Sequence, residues 1–195
     1  MFADPHPLAR WFDRADGVLV TGGPGEPDPS VVAARWIAGN PAAFWIVAGD
    51  LTHNHPYNIA RRVASIAALS RSGAGLLVEA TAPGLHGHRP ESDAVLQDGI
   101  TILSQLWRTW PLDTIIADRA KRQFADVTRV MRLNPTGVFS VSGPLQIPVD
   151  QDELPFVLQR YNGKPAAQGA DALVADPKEG ESHSVVSLPA GFSSL

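Results

Sequence analysis

Two histidine pairs could do chemistry in this chain, His53-Asn-His55 and His86-Gly-His88. Each falls in a loop after an expected strand, and imidazole suits zinc, nickel or iron. Asp50 and Glu79 are the carboxylates that could join them. Together they would serve a metal-dependent hydrolase, the third of three readings. No metal site is assigned, because such pairs recur in loops without a metal. The loop Thr21-Gly-Gly-Pro-Gly25 lacks the lysine of a phosphate-binding loop, and Pro24 removes an N–H donor. With no cysteine, the chain has no disulfide, thiolate metal ligand or cysteine nucleophile.

The elements that must position these groups follow from the apolar pattern. Asp16–Val20, Phe44–Ala48, Ala74–Val78, Phe156–Gln159 and Ala172–Ala175 read as short strands without alternation, as in strands buried on both faces. Pro7–Arg14, Ser30–Ala38, Asn58–Leu69 and Ser92–Trp110 read as helices, with Asn54 or Asn58 capping the third. Leu112–Asn134 is a polar excursion, and Gly137–Val141 with Leu145–Ile147 suggests a small hairpin. Alternating strands and helices mean α/β with a parallel sheet. One domain is expected over residues 1–175, with a loosely ordered tail over 176–195. A net charge of −4 and pI near 5.8 argue against a general nucleic-acid or membrane-surface binder. No signal peptide or membrane-spanning run is evident, so a cytoplasmic location is expected.

One stretch carries more information. Thr52-His-Asn-His-Pro-Tyr-Asn-Ile-Ala-Arg-Arg-Val-Ala-Ser-Ile66, followed by Ser72-Gly-Ala-Gly-Leu-Leu-Val78, is one parallel βαβ step. It resembles the luciferase-like flavin monooxygenases, in the branch of the nitrilotriacetate and dibenzothiophene-sulfone monooxygenases. Leu106-Trp-Arg-Thr-Trp110, Asp118–Asp126 and Gly137-Val-Phe-Ser-Val-Ser-Gly-Pro-Leu145 follow that family's motifs in order. The resemblance runs from about Leu8 to Ala175. It implies an incomplete (β/α)8 TIM-like barrel, lacking the first strand and the last βα units, since a full barrel takes about 250 residues. An unclosed sheet leaves unpaired edges, so a homodimer is expected to help cover them.

The resemblance also implies the site. Thr52 and Asn54, after the second strand, match positions close to a flavin ring, though both could serve only to shape the turn. Thr81 keeps a hydroxyl after the third strand, while Glu79 puts a carboxylate where relatives are apolar. Gln159 matches the start of the phosphate-holding run, and Arg160 or Lys164 could substitute as a cation there. Ser92-Asp93 stands where relatives carry an Arg-Tyr pair. Arg61-Arg62 reads as structural, one side chain bridging a unit boundary and the other facing solvent. By resemblance the chain would use reduced FMN from a flavin reductase, with O2, to oxygenate a small organic substrate. The alternative is a non-catalytic dimeric relative with a degenerate flavin pocket, in a binding or regulatory role.

Overall fold

The computed structural model describes residues 17–22, 25–80, 92–160, 165–174 and 186–187. Its frame is a repeated strand–helix unit. Strand β1 (Gly17–Val20) leads to helix α1 (Pro29–Ile37), β2 (Phe44–Asp50) to α2 (Pro56–Leu69), and β3 (Ala74–Glu79) to α3 (Ser92–Leu106). After an excursion holding the short antiparallel pair β4 (Ile115–Asp118) and β5 (Gln123–Ala125), the chain returns through β6 (Phe156–Arg160) and β7 (Ala172–Val174). The main sheet runs β1-β2-β3-β6-β7 in parallel, and the two-residue β8 (Val186–Ser187) pairs antiparallel with β7. The sheet curls as a half-barrel. The β8 pairing covers part of one edge with the chain's own late residues, one of the solutions that an open sheet requires. The expected helix over Pro7–Arg14 and most of the expected tail lie outside the described residues.

Period-two alternation divides the strands between two apolar clusters. Trp45, Val47, Leu76, Val78 and Val157 pack with the helices in the main core. Leu77, Leu158, Ala172 and Val174, with Ile46 and Phe156 against them, form a second cluster on the opposite, concave face. In-register pairing of Asp50 with Glu79, and of Arg160 with Val174, sets one rung at the C-terminal ends of the strands. That rung carries charge above the apolar floor.

Local chemistry starts the helices. The Asp28 carboxylate accepts the Ser30 N–H at 2.9 Å, and Pro29 opens α1 with its φ already helical. His55 caps α2, its Nδ1 accepting the Tyr57 N–H at 3.3 Å, with Pro56 at the first helical position. The cap is therefore neither Asn54 nor Asn58: Pro56 starts the helix early, and Asn54 is turned elsewhere. Helix α3 ends at Leu106, short of Trp110, and Trp107 is buried in the following turn with its Nε1–H on Ala60 O at 3.0 Å.

The hairpin expected at Gly137–Ile147 does not form. Three of its N–H groups find side-chain acceptors instead of each other, and Gly143 N–H donates to Leu133 O at 2.9 Å. Phe139 N–H donates to Asp98 Oδ2 at 2.9 Å, Leu145 N–H to Thr109 Oγ1 at 2.9 Å, and Gln146 N–H to the Tyr57 hydroxyl at 3.2 Å. Gly137 is required by this docking, because a Cβ there would lie 2.3 Å from Asp98 Oδ1. The polar excursion, by contrast, contains ordered structure: the β4–β5 pair and a 3-10 turn at Val127–Arg129. Asp126 accepts from the Thr128 hydroxyl and N–H, and these bonds hold its carboxyl below the ordinary carboxylate range.

Candidate functional site

In barrels of parallel strands, ligands meet the loops at the strands' C-terminal ends. A cavity of about 540 Å3, in the usual size range for a small-molecule site, lies at that end here. Its apolar wall includes Val47, Ile59, Val63 and Leu76, and its polar wall Glu26, Asp28, Asp50, His53, Asn54, Arg62 and Glu79.

One network ties the polar wall together. Asp50 closes a turn on itself, with Oδ1 accepting the Thr52 N–H at 2.7 Å and Oδ2 lying 3.0 Å from His53 Nδ1. The acceptor there assigns the proton to that nitrogen. Asn54 Nδ2 donates to Asp50 O at 3.4 Å, and Asn54 Oδ1 accepts from Arg62 Nη2 at 2.7 Å. Arg62 Nη1 reaches the other oxygen of Asp28, the α1 cap. A line of residues thus joins the turn after β2 to the start of α1 through a guanidinium on α2. This is the unit-boundary bridge expected of the Arg61-Arg62 pair, with Arg61 exposed.

Thr52 is 3% exposed and is not part of the cavity wall, whereas Asn54 is. Gln159 is equally buried and spends Oε1 on the Ala167 N–H at 2.7 Å, fixing the return into β7. Arg160 donates from Nε to Glu79 Oε1 at 2.6 Å, so Glu79 is an ion-paired strand end rather than a solvated loop acid. Thr81, His86 and His88 lie outside the described residues, as does Lys164. His55 has both ring nitrogens engaged, Nδ1 as the α2 cap and Nε2 at 3.2 Å from Ser140 O. Among the described residues, no three His, Asp or Glu side chains are grouped to hold a metal ion. Sequence reasoning missed Glu26 and Asp28; the Asp28-Pro29 pair was the available signal, as a helix start.

No family model matches this chain. It is 30% identical over 118 residues to N-acetyl-S-(2-succino)cysteine monooxygenase of Bacillus subtilis (strain 168), covering 55% of this chain and 27% of that protein. Dibenzothiophene-sulfone monooxygenase of Rhodococcus erythropolis is 30% identical over 119 residues, 55% of this chain and 26% of that protein. The homologues of this chain are luciferase-like monooxygenases, matched over part of their length. Among solved structures, the luciferase-like EDTA monooxygenase (EmoA) from Chelativorans sp. BNC1 superposes with a TM-score of 0.63 at 25% identity, covering 82% of this chain and 41% of that one. The chain thus spans about a quarter of the length of the curated luciferase-like relatives it matches.

The FMN that the resemblance implies can be tested against the wall. A flavin phosphate needs uncommitted cations, hydroxyls or N–H groups. Of the cations near this cavity, Arg62 is paired with Asp28, and Arg160 with Glu79. Four carboxylates border the same space, those of Glu26, Asp28, Asp50 and Glu79. Two of these are paired with the guanidiniums just named, and the surplus charge of Glu26 and Asp50 disfavours a phosphate and an anionic reduced ring alike. The described residues do not fit an anionic flavin.

Proposed function

We propose that this chain is a non-oxygenating relative of the luciferase-like monooxygenases, a binding protein built on their scaffold. Its strand-end cavity takes a small neutral or cationic organic molecule. One observation carries the reading: among the described residues, Arg62 in the cavity wall and Arg160 beside it are both committed to carboxylates of the same chain. In this reading the Asp28–Arg62–Asn54–Asp50 line holds the cavity wall still, and the apolar residues Val47, Ile59 and Leu76 supply the burial of the ligand.

A second reading is supported by the names of the relatives, which are monooxygenases. Here the chain would oxygenate a small organic substrate with O2 and reduced FMN delivered by a flavin reductase. The phosphate would then be held by groups outside the wall just described, with Thr52, Asn54, Thr81, Gln159 and Arg160 as the expected contacts. Oxygen uptake separates the two. With a flavin reductase, NADH and FMN present, the first reading expects no consumption above the reductase alone, across a panel of small sulfur and nitrogen compounds. Substrate-dependent uptake above that background, with an oxygenated product, would establish the second reading and overturn the first.

A further inference from the structure

A second hollow, beside the β4–β5 pair, differs in character from the strand-end cavity. It is a groove of about 590 Å3, within the size range of small-molecule sites, and it shares no lining residue with that cavity. Trp110, Phe124, Val127 and Val130 give it apolar walls, although Phe124 is 66% exposed and Val127 73%. Large apolar side chains held out to water around one hollow mark a place that receives something. The groove is also built before any ligand arrives. Trp110 Nε1–H donates to Thr114 Oγ1 at 3.1 Å, Asp126 N–H to Thr114 O at 2.8 Å, and Met131 N–H to Thr109 O at 2.8 Å. These bonds tie its flanks to the stretch that follows α3, so a ligand has little left to order.

Charge says what the groove receives. Arg122 and Arg132 line it, and no carboxylate does. Neither arginine has a carboxylate partner among the described residues. The acids of the same segment are turned to other groups: Asp113 to Arg129, Asp118 to Lys121 and the Ala120 N–H, and Asp126 to the Thr128 hydroxyl and N–H. Arg122 also holds a φ of 52°, a left-handed backbone that residues other than glycine rarely adopt and that gathers at ligand sites. A guanidinium presents forked N–H donors that match the two oxygens of a carboxylate. Two of them beside aromatic and aliphatic walls select an anion with an apolar body. A bare anion would leave Trp110 and Phe124 unused, and a neutral apolar molecule would leave both guanidiniums unused.

We propose that this groove is a binding site for a small aromatic carboxylic acid, its carboxylate held by Arg122 and Arg132 and its ring set against Trp110 and Phe124. The strand-end cavity, with the surplus charge of Glu26 and Asp50, disfavours the same ligand, so the two hollows divide small molecules by charge. The groove's ligand is the same whether the strand-end cavity holds a flavin, another molecule or nothing. Its test therefore stands apart from the reading of that cavity.

The test is isothermal titration calorimetry with cinnamate as the probe. Cinnamamide is its neutral match, and acetate carries the charge without the ring. Cinnamate is expected to bind at one site per chain, with cinnamamide and acetate each weaker by about tenfold or more. Arg122→Gln and Arg132→Gln are each expected to weaken cinnamate about fivefold, the scale of an exposed ion pair. Phe124→Ser is expected to weaken it about tenfold through lost apolar burial. All three positions are exposed, so the variants should keep the wild-type circular dichroism spectrum. Arg61→Gln, exposed on α2 and outside the groove, is the control and should leave the affinity unchanged. A cinnamate Kd weaker than about 1 mM overturns the proposal. So does cinnamamide or acetate binding as tightly as cinnamate. Affinity that none of the three groove substitutions moves, or that Arg61→Gln lowers as much as they do, sets the acid elsewhere and overturns it too.

Discussion

Gly99→Ala should destabilise this protein, although helix propensity alone says the opposite. Gly99 sits inside α3, where alanine is normally favoured over glycine by about 1 kcal/mol. A Cβ at this position would stand 2.4 Å from Leu51 Cδ1 and 2.9 Å from Leu51 Cδ2. Leu51 is fully buried, at 0% exposure, so it has no solvent to move into. Overpacking of this sort costs about 1–3 kcal/mol. Setting that against the propensity gain, a net loss of about 1 kcal/mol is expected, or about 2–4 °C in Tm for a chain of this size. The contact matters to the site because Leu51 begins the turn that carries Thr52, His53 and Asn54. Urea denaturation of four proteins decides it: wild type, Gly99→Ala, Leu51→Val and the double variant. Trimming Leu51 should relieve the clash, so Gly99→Ala should become neutral or stabilising in the Leu51→Val background. A stabilised single variant, or equal destabilisation in both backgrounds, would refute the claim that Leu51 is the obstacle.

Other perturbations bear on separate parts of the account. Asp28→Ala removes both the α1 cap and the partner of Arg62; about 1 kcal/mol is expected from the cap and up to about 1 more from the partly exposed ion pair, read by urea denaturation. In a cycle with Arg62→Met, a coupling energy near zero would show that the pair is not formed in solution. Asp171 accepts the Val157 N–H at 2.6 Å, and burial raises its pKa above the ordinary 3.8, outweighing that bond and the nearby Arg108. A raised folded pKa means that this group's contribution to stability is full below the unfolded value and is lost as pH climbs through the folded one. Asp171→Asn keeps an acceptor without the charge. It should therefore be more stable than wild type at neutral pH, with the advantage fading toward pH 3.8, and a less stable variant at neutral pH would contradict this.

Much of the frame was legible in the sequence, and the reason is physical. Strands buried on both faces announce themselves as unbroken apolar runs, which is why Phe44–Ala48 and Ala74–Val78 needed only one or two residues added at their C-terminal ends. Arg62 could be read as a bridge because adjacent helical residues point apart. What stayed hidden depended on long-range partners. The Gly137–Ile147 stretch looks like a hairpin by composition, but Asp98, Thr109 and Tyr57 take its N–H groups, and no local pattern reveals those acceptors. The site behaved similarly. Gln159 and Arg160 look like cofactor contacts one at a time, and their commitments to Ala167 and Glu79 emerge only when the strands are set side by side. Glu26 and Asp28 sit in a glycine- and proline-rich loop with nothing in their neighbours to suggest that they face Asp50.

The central claim is that the strand-end wall rejects an anionic flavin, and melting in the presence of FMN tests it most directly. A ligand present at 100 times its Kd stabilises the folded state by about 2.7 kcal/mol, which is about 5–10 °C here. With FMN at about 1 mM, oxidised or reduced by dithionite, Tm is expected to stay within about 1 °C of the free protein, the bound fraction being negligible. A rise of several degrees, saturating with FMN concentration, would contradict the account.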